Sequence, residues 1–553
     1  MFVAPAPSEA QTPRQLGGDP DWWRGGVIYQ IYPRSFLDLS GDGVGDLAGI
    51  AARLDYVAAL GVDAIWISPF FTSPQADYGY DVANYRDVDP MFGRIEDFDA
   101  LLDGAHRRGL RVMLDLVLSH TSDKHPWFQE SRVSRDNPRH DWYVWADPRR
   151  DGTPPNNWLS IFGGSAWEWD SRRRQYYLHN FLTSQPDLNF HNPAVQHAML
   201  DVARFWLDRG VDGFRLDTAN MYFHDAELRD NPPIPQGMSL NGIPPQNPYA
   251  FQETVHNINR PENLAFFERF RALMNEYPST TTVGEIGAVV DMAKALSDYT
   301  GGERRLHMGY SFDYLSHTFS ALHIRTVAEK MLRVADVWPS WAFSNHDNER
   351  VVSRWGMPGE ADRAGPLLLA LLTSLRGSPC LYQGEELALP EAVVPFEQLR
   401  DPYGIRFWPE FKGRDGCRTP MPWNAAAPHA GFSDATPWLP VPPDHVDRAV
   451  SSQEADPRSA LNRARGFLAW RKARPELVRG DMAFHEADEP VLAFTRSHAA
   501  ARTLCVFNLG PAPARFDAAG FGPLGPLGGH GFGGALEGAG VALGPWDAFF
   551  AAC

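Results

Sequence analysis

The chain has 553 residues, which is too long for one ordinary domain and long enough for a large barrel with additions. Its formal net charge of −17 disfavours nucleic acid and anionic membranes as partners. Hydrophobic residues make up 44% of the chain, mean hydropathy is −0.34 and no apolar run reaches membrane-spanning length, so the composition indicates a globular protein rather than a membrane protein.

Two features bear on the compartment. Residues 1–20 are rich in Pro and Ala and lack the basic start and apolar stretch of a signal peptide, so we expect a flexible N-terminal arm there. The four cysteines are Cys380, Cys417, Cys505 and Cys553, and they form no CxxC pair and lie near no His cluster. Free thiols and a cytoplasmic location are therefore the expectation.

A helix, a glycine and an apolar strand follow one another three times along the chain. The copies are 54–60, Gly61 and 62–67; then 98–108, Gly109 and 110–115; then 202–209, Gly210 and 211–216. A glycine that ends a helix just before a buried strand is typical of parallel sheets whose strands alternate with helices.

Further strands are predicted at 27–32, 281–283, 342–344 and 379–382. The alternation predicts the α/β fold class and, within it, a (β/α)₈ TIM barrel. Eight strands cannot be counted from the pattern alone.

Interruptions of the helix–strand alternation predict the domain boundaries. Residues 122–192 are rich in Trp, Asp, Asn and Pro and resemble a subdomain inserted after the third strand, which leaves 21–121 and 193–478 for the barrel. Residues 221–261 lack periodicity and predict a long loop over the site. Short β-like runs and a Gly/Pro-rich stretch predict a C-terminal antiparallel β domain at 479–553.

Three short runs end in acidic residues where barrel strands should end. They are residues 213–217 (GFRLD), 281–285 (TTVGE) and 343–347 (FSNHD), so the carboxylates are Asp217, Glu285 and Asp347. Because a (β/α)₈ barrel carries its chemistry at the C-terminal ends of its strands, we expect these side chains to converge. Cleavage of a glycoside uses one carboxylate nucleophile and one carboxylic acid, so glycoside cleavage is the chemistry that they favour.

Each carboxylate also has a simpler interpretation. Arg215 lies two residues before Asp217 and projects to the same face of a strand, so it would keep Asp217 ionised, as a nucleophile requires. For this spacing alone, a structural ion pair is the commoner arrangement. Glu285 ends an apolar strand beside a second carboxylate, which raises the pKa of an acid, and a glutamate in a surface loop is the alternative.

Four signatures together resemble the α-amylase superfamily of retaining glycosidases, glycoside hydrolase family 13. They are residues 115–120 (DLVLSH), 213–220 (GFRLDTAN), 284–287 (GEIG) and 344–347 (SNHD). A fifth, residues 185–189 (QPDLN), is typical of the oligo-1,6-glucosidase/α-glucosidase branch. The resemblance covers roughly residue 21 to the C-terminus.

The resemblance implies a role for each residue that it covers. Asp217 would be the nucleophile, Glu285 the acid/base and Asp347 the transition-state stabiliser. The implied glucose ligands are His120, Arg215, His346, Asp77, the stacking Tyr80 and the aromatic wall residue Phe162. Arg414 would pair with Asp77 and block the pocket, so that one glucose is removed at a time from the non-reducing end. Arg418 competes for that role, and the sequence does not decide between the two.

Residues 38–46 (DLSGDGVGD) carry oxygen ligands at alternate positions and a glycine for the turn, which suits Ca²⁺. The resemblance implies a calcium loop with Asp38, Ser40, Asp42, Asp46 and the Val44 carbonyl as its ligands. Ser40 stands where Asn is usual, which weakens the site or admits water or Mg²⁺, and a solvated acidic turn is the alternative. The amylase-type calcium site uses an Asn before the histidine; that position is Ser119 here, so this second site is not predicted.

Thr218, directly after the predicted nucleophile, bears on linkage. In similar enzymes Val at this position goes with α-1,6 bonds, and Thr or Ala with α-1,4 bonds. The expectation is a retaining exo-acting α-glucosidase for short α-1,4 glucosides such as maltose, with the ability to transfer glucose to other acceptors.

Other functions of the same fold compete with this one. A sucrose hydrolase or glucosyltransferase, or an oligo-1,6-glucosidase, of the same fold is the alternative. A non-catalytic heavy chain of the superfamily is disfavoured, because all three carboxylates are present in the sequence and no transmembrane stretch is. Monomer and homodimer both remain open.

Overall fold

The structure is a computed structural model, which describes residues 15–240, 242–334 and 336–553. Eight parallel strands close into a barrel, which confirms the predicted fold class. In chain order they are β1 (Ile28–Ile31), β2 (Ala64–Ile67), β3 (Arg111–Leu116), β4 (Gly213–Leu216), β5 (Thr281–Glu285), β6 (Met308–Tyr310), β7 (Pro339–Trp341) and β8 (Ser378–Tyr382). Closure is direct, since Ile28 of β1 lies opposite both Ala64 of β2 and Cys380 of β8.

Barrel strands are apolar on both faces because both faces are covered. In β2, Ala64 and Trp66 belong to the cluster inside the barrel, whereas Ile65 and Ile67 pack in the large core between strands and helices. The helices that supply this outer layer are Leu47–Ala52, Leu54–Ala59, Ile95–Arg107, Pro193–Arg209, Glu262–Met274, Met292–Thr300, Ala321–Leu332, Val351–Arg354 and Ala361–Ser374.

The three glycines predicted to end helices all have left-handed backbone angles. Gly61, Gly109 and Gly210 have φ of 86°, 73° and 108°, and each stands between a helix and the strand that follows it. Two strand predictions need correction. β6 was missed because it has only three residues, and the seventh strand is Pro339–Trp341 rather than 342–344. Residues 342–344 are also buried, and burial alone does not show where pairing ends.

The remaining elements lie in the connections. A hairpin of Phe71–Thr72 and Asn84–Val88 follows β2. The segment between β3 and Pro193 holds helix Pro126–Ser131 and a small sheet of Trp145–Ala146, Trp167–Asp170 and Gln175–Leu178. The loop after β4 contains the 3₁₀ turn Pro248–Phe251, and other 3₁₀ turns are Pro33–Ser35, Gly301–Glu303, Asp313–Leu315, Pro358–Glu360, Phe396–Gln398 and Pro428–Gly431.

After β8 the chain forms helices and then antiparallel sheets. The helices are Pro402–Phe407, Pro443–Asp447, Val450–Glu454, Ala460–Lys472 and Pro475–Arg479. One sheet joins Asp481–His485, Val491–His498, Ala501–Asn508, Asp547–Ala552 and Gly525–Pro526, and the other joins Ala514–Asp517, Gly540–Leu543 and Ala535–Glu537.

The predicted N-terminal arm is only partly described. Residues 1–14 lie outside the described residues. Residues 15–20 are not a free arm: the Gln15 amide donates to the Leu207 carbonyl, and the Leu16 N–H donates to Asp212. Within the described chain, none of the helices combines the length and the apolarity that crossing a bilayer requires. All four cysteines are unpaired, and Cys553 is the exposed one.

Candidate active site

The Arg215 guanidinium gathers three carboxylates at the C-terminal ends of β3, β4 and β5. It lies 2.8 Å from Asp115, 2.7 Å from Asp217 and 2.7 Å from Glu285, and all four side chains are buried. Asp217 Oδ1 and Glu285 Oε1 meet neighbouring nitrogens, Nη1 and Nη2, of the same guanidinium. The two predicted catalytic carboxyl groups are therefore close neighbours.

Burial raises the pKa of both carboxyl groups, and the shared arginine does not offset it. Burial raises the pKa of Glu285 to about 8; Arg215 opposes this, and the charges of Asp217 and Asp347 add to it. Burial likewise raises the pKa of Asp217 to about 7. The sequence predicted that Arg215 would hold Asp217 ionised, but one guanidinium serves three carboxylates here. Because the carboxyls repel one another's charge, they do not ionise together easily, and the higher pKa of Glu285 favours it as the protonated partner and Asp217 as the ionised one.

Asp347 lies beside two arginines and a histidine. Its Oδ1 is 2.7 Å from Arg418 and 3.2 Å from Arg414, and its Oδ2 is 3.3 Å from His346 Nε2. Burial acts to raise the pKa of Asp347, but its basic neighbours, the guanidinium groups of Arg414 and Arg418 among them, hold it well below its usual range. Asp347 is thus the carboxylate that stays ionised most firmly in this site.

Arg414, not Arg418, is the partner of Asp77. Arg414 Nη2 lies 2.8 Å from Asp77 Oδ1 and 2.7 Å from Asp401 Oδ1, and its Nε donates to the other oxygen of Asp401. Phe162 lies under the same guanidinium, 5.1 Å from its central carbon, and stacks on Tyr403. Asp401 therefore fixes the arginine that the resemblance placed at the end of the pocket.

The two predicted sugar-binding histidines are neutral, because burial lowers the pKa of His120 to about 4 and of His346 to about 3. His346 stacks on the Tyr80 ring with centroids 5.5 Å apart, and the Tyr80 hydroxyl donates to Asp115 at 3.0 Å. Nine of the predicted site residues line one cavity of about 170 Å³, room for about six water molecules, and the buried Arg215 is not part of this lining. That lining is Asp77, Tyr80, His120, Phe162, Asp217, Thr218, Glu285, Asp347 and Arg414, and it does not include His346.

Thr218 has a strained backbone. Its φ of 40° lies in the left-handed region, which a β-branched residue adopts only at a cost of about 1–3 kcal/mol. In this conformation the Thr218 N–H donates to Glu285 Oε2 at 3.0 Å. The strain therefore aims a backbone donor at the predicted acid.

The predicted calcium loop is held by hydrogen bonds. The Asp38 carboxylate accepts from Ser40 Oγ, from the Gly41 and Gly43 N–H groups and from Ser433 Oγ. Asp46 accepts from three backbone N–H groups, including that of Gly49, and so caps the helix that begins at Leu47.

The third acidic residue of the loop also accepts a backbone hydrogen bond. Asp42 turns back to the Val44 N–H. Across the described residues, no three His, Cys, Asp or Glu side chains are placed together to hold a metal ion. Calcium binding stays a prediction from the sequence.

Three buried residues complete the site and were given no role from the sequence. Asp115 and Gln185 belong to quoted signatures; Gln185 Nε2 lies 3.1 Å from Asp77 Oδ2. Because Asp115 and Gln185 lie in those signatures, the sequence contained a signal that could have identified them as site residues. No sequence signal identified Asp401, because only the folded chain shows which acidic residue contacts Arg414.

A closed (β/α)₈ barrel with two neighbouring, buried carboxyl groups that line a pocket of sugar size is the architecture of a glycoside hydrolase. The alpha amylase catalytic domain family matches residues 30–480. The chain belongs to that family, glycoside hydrolase family 13, and is an enzyme of its α-glucosidase/oligo-1,6-glucosidase group.

Relatives in that group cover nearly the whole chain. A probable alpha-glucosidase of Rhizobium meliloti (strain 1021) is 58% identical over 97% of this chain and 98% of its own length. An oligo-1,6-glucosidase of Heyndrickxia coagulans is 38% identical over 90% of this chain and 94% of its own. The crystal structure of an alpha-glucosyl transfer enzyme superposes with a TM-score of 0.94 at 56% identity, covering 98% of this chain and all of that one.

Proposed function

We propose that this protein is a retaining, exo-acting α-glucosidase for short α-1,4-linked glucosides, with the ability to transfer glucose to other acceptors. The observation that carries the proposal is the attachment of Asp217 and Glu285 to neighbouring nitrogens of Arg215. Retaining enzymes hold their two carboxyl groups about 5–5.5 Å apart, whereas inverting enzymes leave about 6.5–9.5 Å for a water molecule. Neighbours on one guanidinium favour the shorter separation.

The protonation states suit two successive displacements. Asp217 forms a bond to the anomeric carbon while the bond to the aglycone oxygen breaks, and Glu285 gives its proton to that oxygen. Glu285, now a carboxylate, then takes a proton from water or another alcohol, whose oxygen displaces Asp217. Asp347, held ionised by Arg414 and Arg418, stabilises the positive charge that develops on the sugar.

Exo action is supported by the closed end of the pocket. Arg414 joins Asp77, Asp347 and Asp401 in one hydrogen-bonded group and packs on Phe162. A sugar chain could continue past this group only by breaking buried charge pairs, which costs about 3–5 kcal/mol when one partner is left behind. One terminal glucose is the unit that fits.

Transfer is supported by the other end. The pocket opens into a groove of about 1950 Å³, with Gly242, Ile243, Phe312, Asp347 and Asn348 lining both. This mouth brings apolar side chains together with Asp347 and Asn348, which suits a neutral alcohol as the acceptor. The α-1,4 preference rests on Thr218, whose hydroxyl lies beside Asp217.

The test is ¹H NMR of the first products from maltotetraose. The proposal requires α-glucose and maltotriose as the initial products; initial β-glucose would contradict the retaining mechanism, and initial maltose would contradict exo action. Glucosides of an added alcohol should appear in the same spectra. A parallel series of maltose, isomaltose, sucrose and trehalose reports the preferred linkage.

A further inference from the structure

Ser119 occupies the position that excluded the amylase-type calcium site, and the structure shows it inside the active site. Its Oγ lies 2.9 Å from His120 Nδ1 and 2.9 Å from Thr218 Oγ1, and Ser119 is 1% exposed. Thr218 Oγ1 also lies 3.3 Å from Asp217 Oδ2. An unbroken chain of polar atoms thus runs from a predicted sugar ligand to the predicted nucleophile.

The direction of this chain follows from the fixed acceptors. His120 Nε2 lies 3.0 Å from the Tyr80 carbonyl, which can only accept, so Nε2 carries the imidazole proton. The Gln185 amide nitrogen is 3.1 Å from the same Nε2, but its N–H groups have the Asp77 carboxylate as an acceptor. Neutral His120 therefore accepts at Nδ1, and Ser119 donates its hydroxyl proton there.

The remaining contacts compete for a single proton. Ser119 has given its proton to His120, so the 2.9 Å contact between the two hydroxyls needs the proton of Thr218. That proton cannot also be donated to Asp217, which explains why the Thr218–Asp217 contact is the longest in the chain. Asp217 Oδ1 accepts from Arg215 at 2.7 Å, so Oδ2 is the oxygen left for attack.

We propose that Ser119 is a positioning residue for glucosyl transfer, which draws the Thr218 hydroxyl proton toward itself and keeps it away from Asp217 Oδ2. The proposal rests on the proposed function, since it assumes that Asp217 is the nucleophile. A carboxylate oxygen that accepts a hydrogen bond is a weaker nucleophile, because the bond must be given up as the oxygen attacks the anomeric carbon. Ser119 removes that competitor without touching the substrate.

The experiment is a double-mutant cycle of Ser119→Ala and Thr218→Val, measured as kcat/KM for 4-nitrophenyl α-glucoside. In Ser119→Ala the Thr218 proton loses its acceptor at Ser119 and turns to Asp217, its other contact among the described residues, so kcat/KM falls by at least about tenfold. The acid limb of its pH profile also moves to lower pH, because the new hydrogen bond favours the ionised carboxylate. In the Thr218→Val background no hydroxyl proton exists, and Ser119→Ala should change kcat/KM less than about twofold, an effect within the scatter of ordinary additivity.

Two further variants separate this effect from general disturbance. Ser119→Cys keeps the shape of the side chain, with a somewhat larger atom at its end, but offers a weak acceptor, so it should behave as Ser119→Ala does. Ser122→Ala removes another buried hydroxyl of the same loop, one that accepts from the Lys124 N–H, and should leave kcat/KM unchanged. Equal losses from Ser119→Ala in both backgrounds, or an unmoved acid limb, would overturn the proposal.

The variant Asp217→Asn distinguishes a failure here from a failure of the proposed function. If it retains activity, Asp217 is not the nucleophile and both proposals fall. If it is inactive while the cycle is additive, only the role of Ser119 is refuted.

Discussion

At the scale of single residues, the site works through competition for a few charges and protons. Arg215 is shared by Asp115, Asp217 and Glu285, so the repulsion between these carboxyls sets which one stays protonated. Burial raises the pKa of Asp115 to about 6, below the values of the other two. The predicted acid is the member of the group that holds its proton to the highest pH.

The pH dependence of kcat/KM should follow from these values as a narrow bell. Glu285 must be protonated, and burial raises its pKa to about 8, so activity falls as the pH rises through about 8. Asp217 must be ionised, and burial raises its pKa to about 7, so activity falls as the pH drops through about 7. Both limbs belong to the coupled pair.

The variant Glu285→Gln assigns the alkaline limb. It should lose most activity on maltose but much less on α-glucosyl fluoride, whose leaving group needs no proton, and its profile on the fluoride should lack the alkaline limb. An unchanged alkaline limb in this variant would contradict the assignment.

Linkage choice is also argued at one residue. Thr218→Val removes the hydroxyl beside Asp217 and leaves an apolar group of similar size next to the aglycone sugar. The ratio of kcat/KM for maltose to that for isomaltose should fall in the variant. A wild type that already prefers isomaltose, or a ratio that does not move, would show that linkage is decided elsewhere, for example in the 221–261 loop.

At the scale of elements, the ends of the barrel strands position the catalytic carboxylates. The segments that follow β1 and β8 position two other groups, the turn at 38–46 and the pair of Asp401 and Arg414. The turn at 38–46 is tied by hydrogen bonds to Asp38 and Asp46. The segment after β8 delivers Asp401 and Arg414 as a pair, with both oxygens of Asp401 engaged.

Asp401→Asn tests that pairing. The neutral amide cannot balance the guanidinium, so Arg414 shifts from Asp77, and KM for maltose should rise at least about tenfold, which is about 1.4 kcal/mol of binding. Asp55→Asn, which removes the partner of Arg108 on the surface, is the control and should leave KM unchanged. An unaltered KM in Asp401→Asn would show that Asp77 fixes Arg414 by itself.

Calcium binding by the 38–46 loop is testable through thermal unfolding. An ion bound only to the folded protein raises the melting temperature, so Tm in millimolar calcium should exceed Tm in chelator. Asp38→Asn should abolish the difference, and magnesium should be tested in parallel. If the two Tm values coincide in the wild type, hydrogen bonds alone hold the loop.

At the scale of the whole molecule, the pocket is assembled from segments far apart in the chain. The buried Asn247, in the loop after β4, donates to the Ile161 carbonyl at 2.7 Å and to the Tyr403 hydroxyl at 2.8 Å. It thereby joins that loop to the insert after β3 and to the segment after β8. The substrate pocket therefore depends on the hydrogen bonds of Asn247 between these segments as well as on the barrel.

Asn247→Ala should weaken the contacts between the three segments. Two buried acceptors lose their donor, which should lower the free energy of unfolding by about 1–3 kcal/mol. KM for maltose should rise while the pH profile stays as in the wild type, because the carboxylates are untouched. A changed pH profile would place Asn247 in the chemistry instead, and unfolding monitored by circular dichroism checks the stability.

What the sequence determined by itself is the set of local patterns. The repeated helix–glycine–strand pattern depends on backbone conformation and burial, so it indicated the barrel. The acidic residues at the strand ends indicated the position of the active site. The left-handed φ of Gly61, Gly109 and Gly210 shows the physical basis. Strand β6 could not be predicted, because three residues are too few to show an alternating pattern of apolar residues.

The tertiary structure alone decided the long-range pairings. Arg414 rather than Arg418 reaches Asp77, Asp401 fixes Arg414, and Ser119 meets Thr218 across 99 positions of chain. It also decided the protonation states, because burial and the sharing of one guanidinium set them, and neither can be read from neighbours in sequence. Hydrogen-bond competition is a property of atoms brought within about 3 Å, which only the folded chain defines.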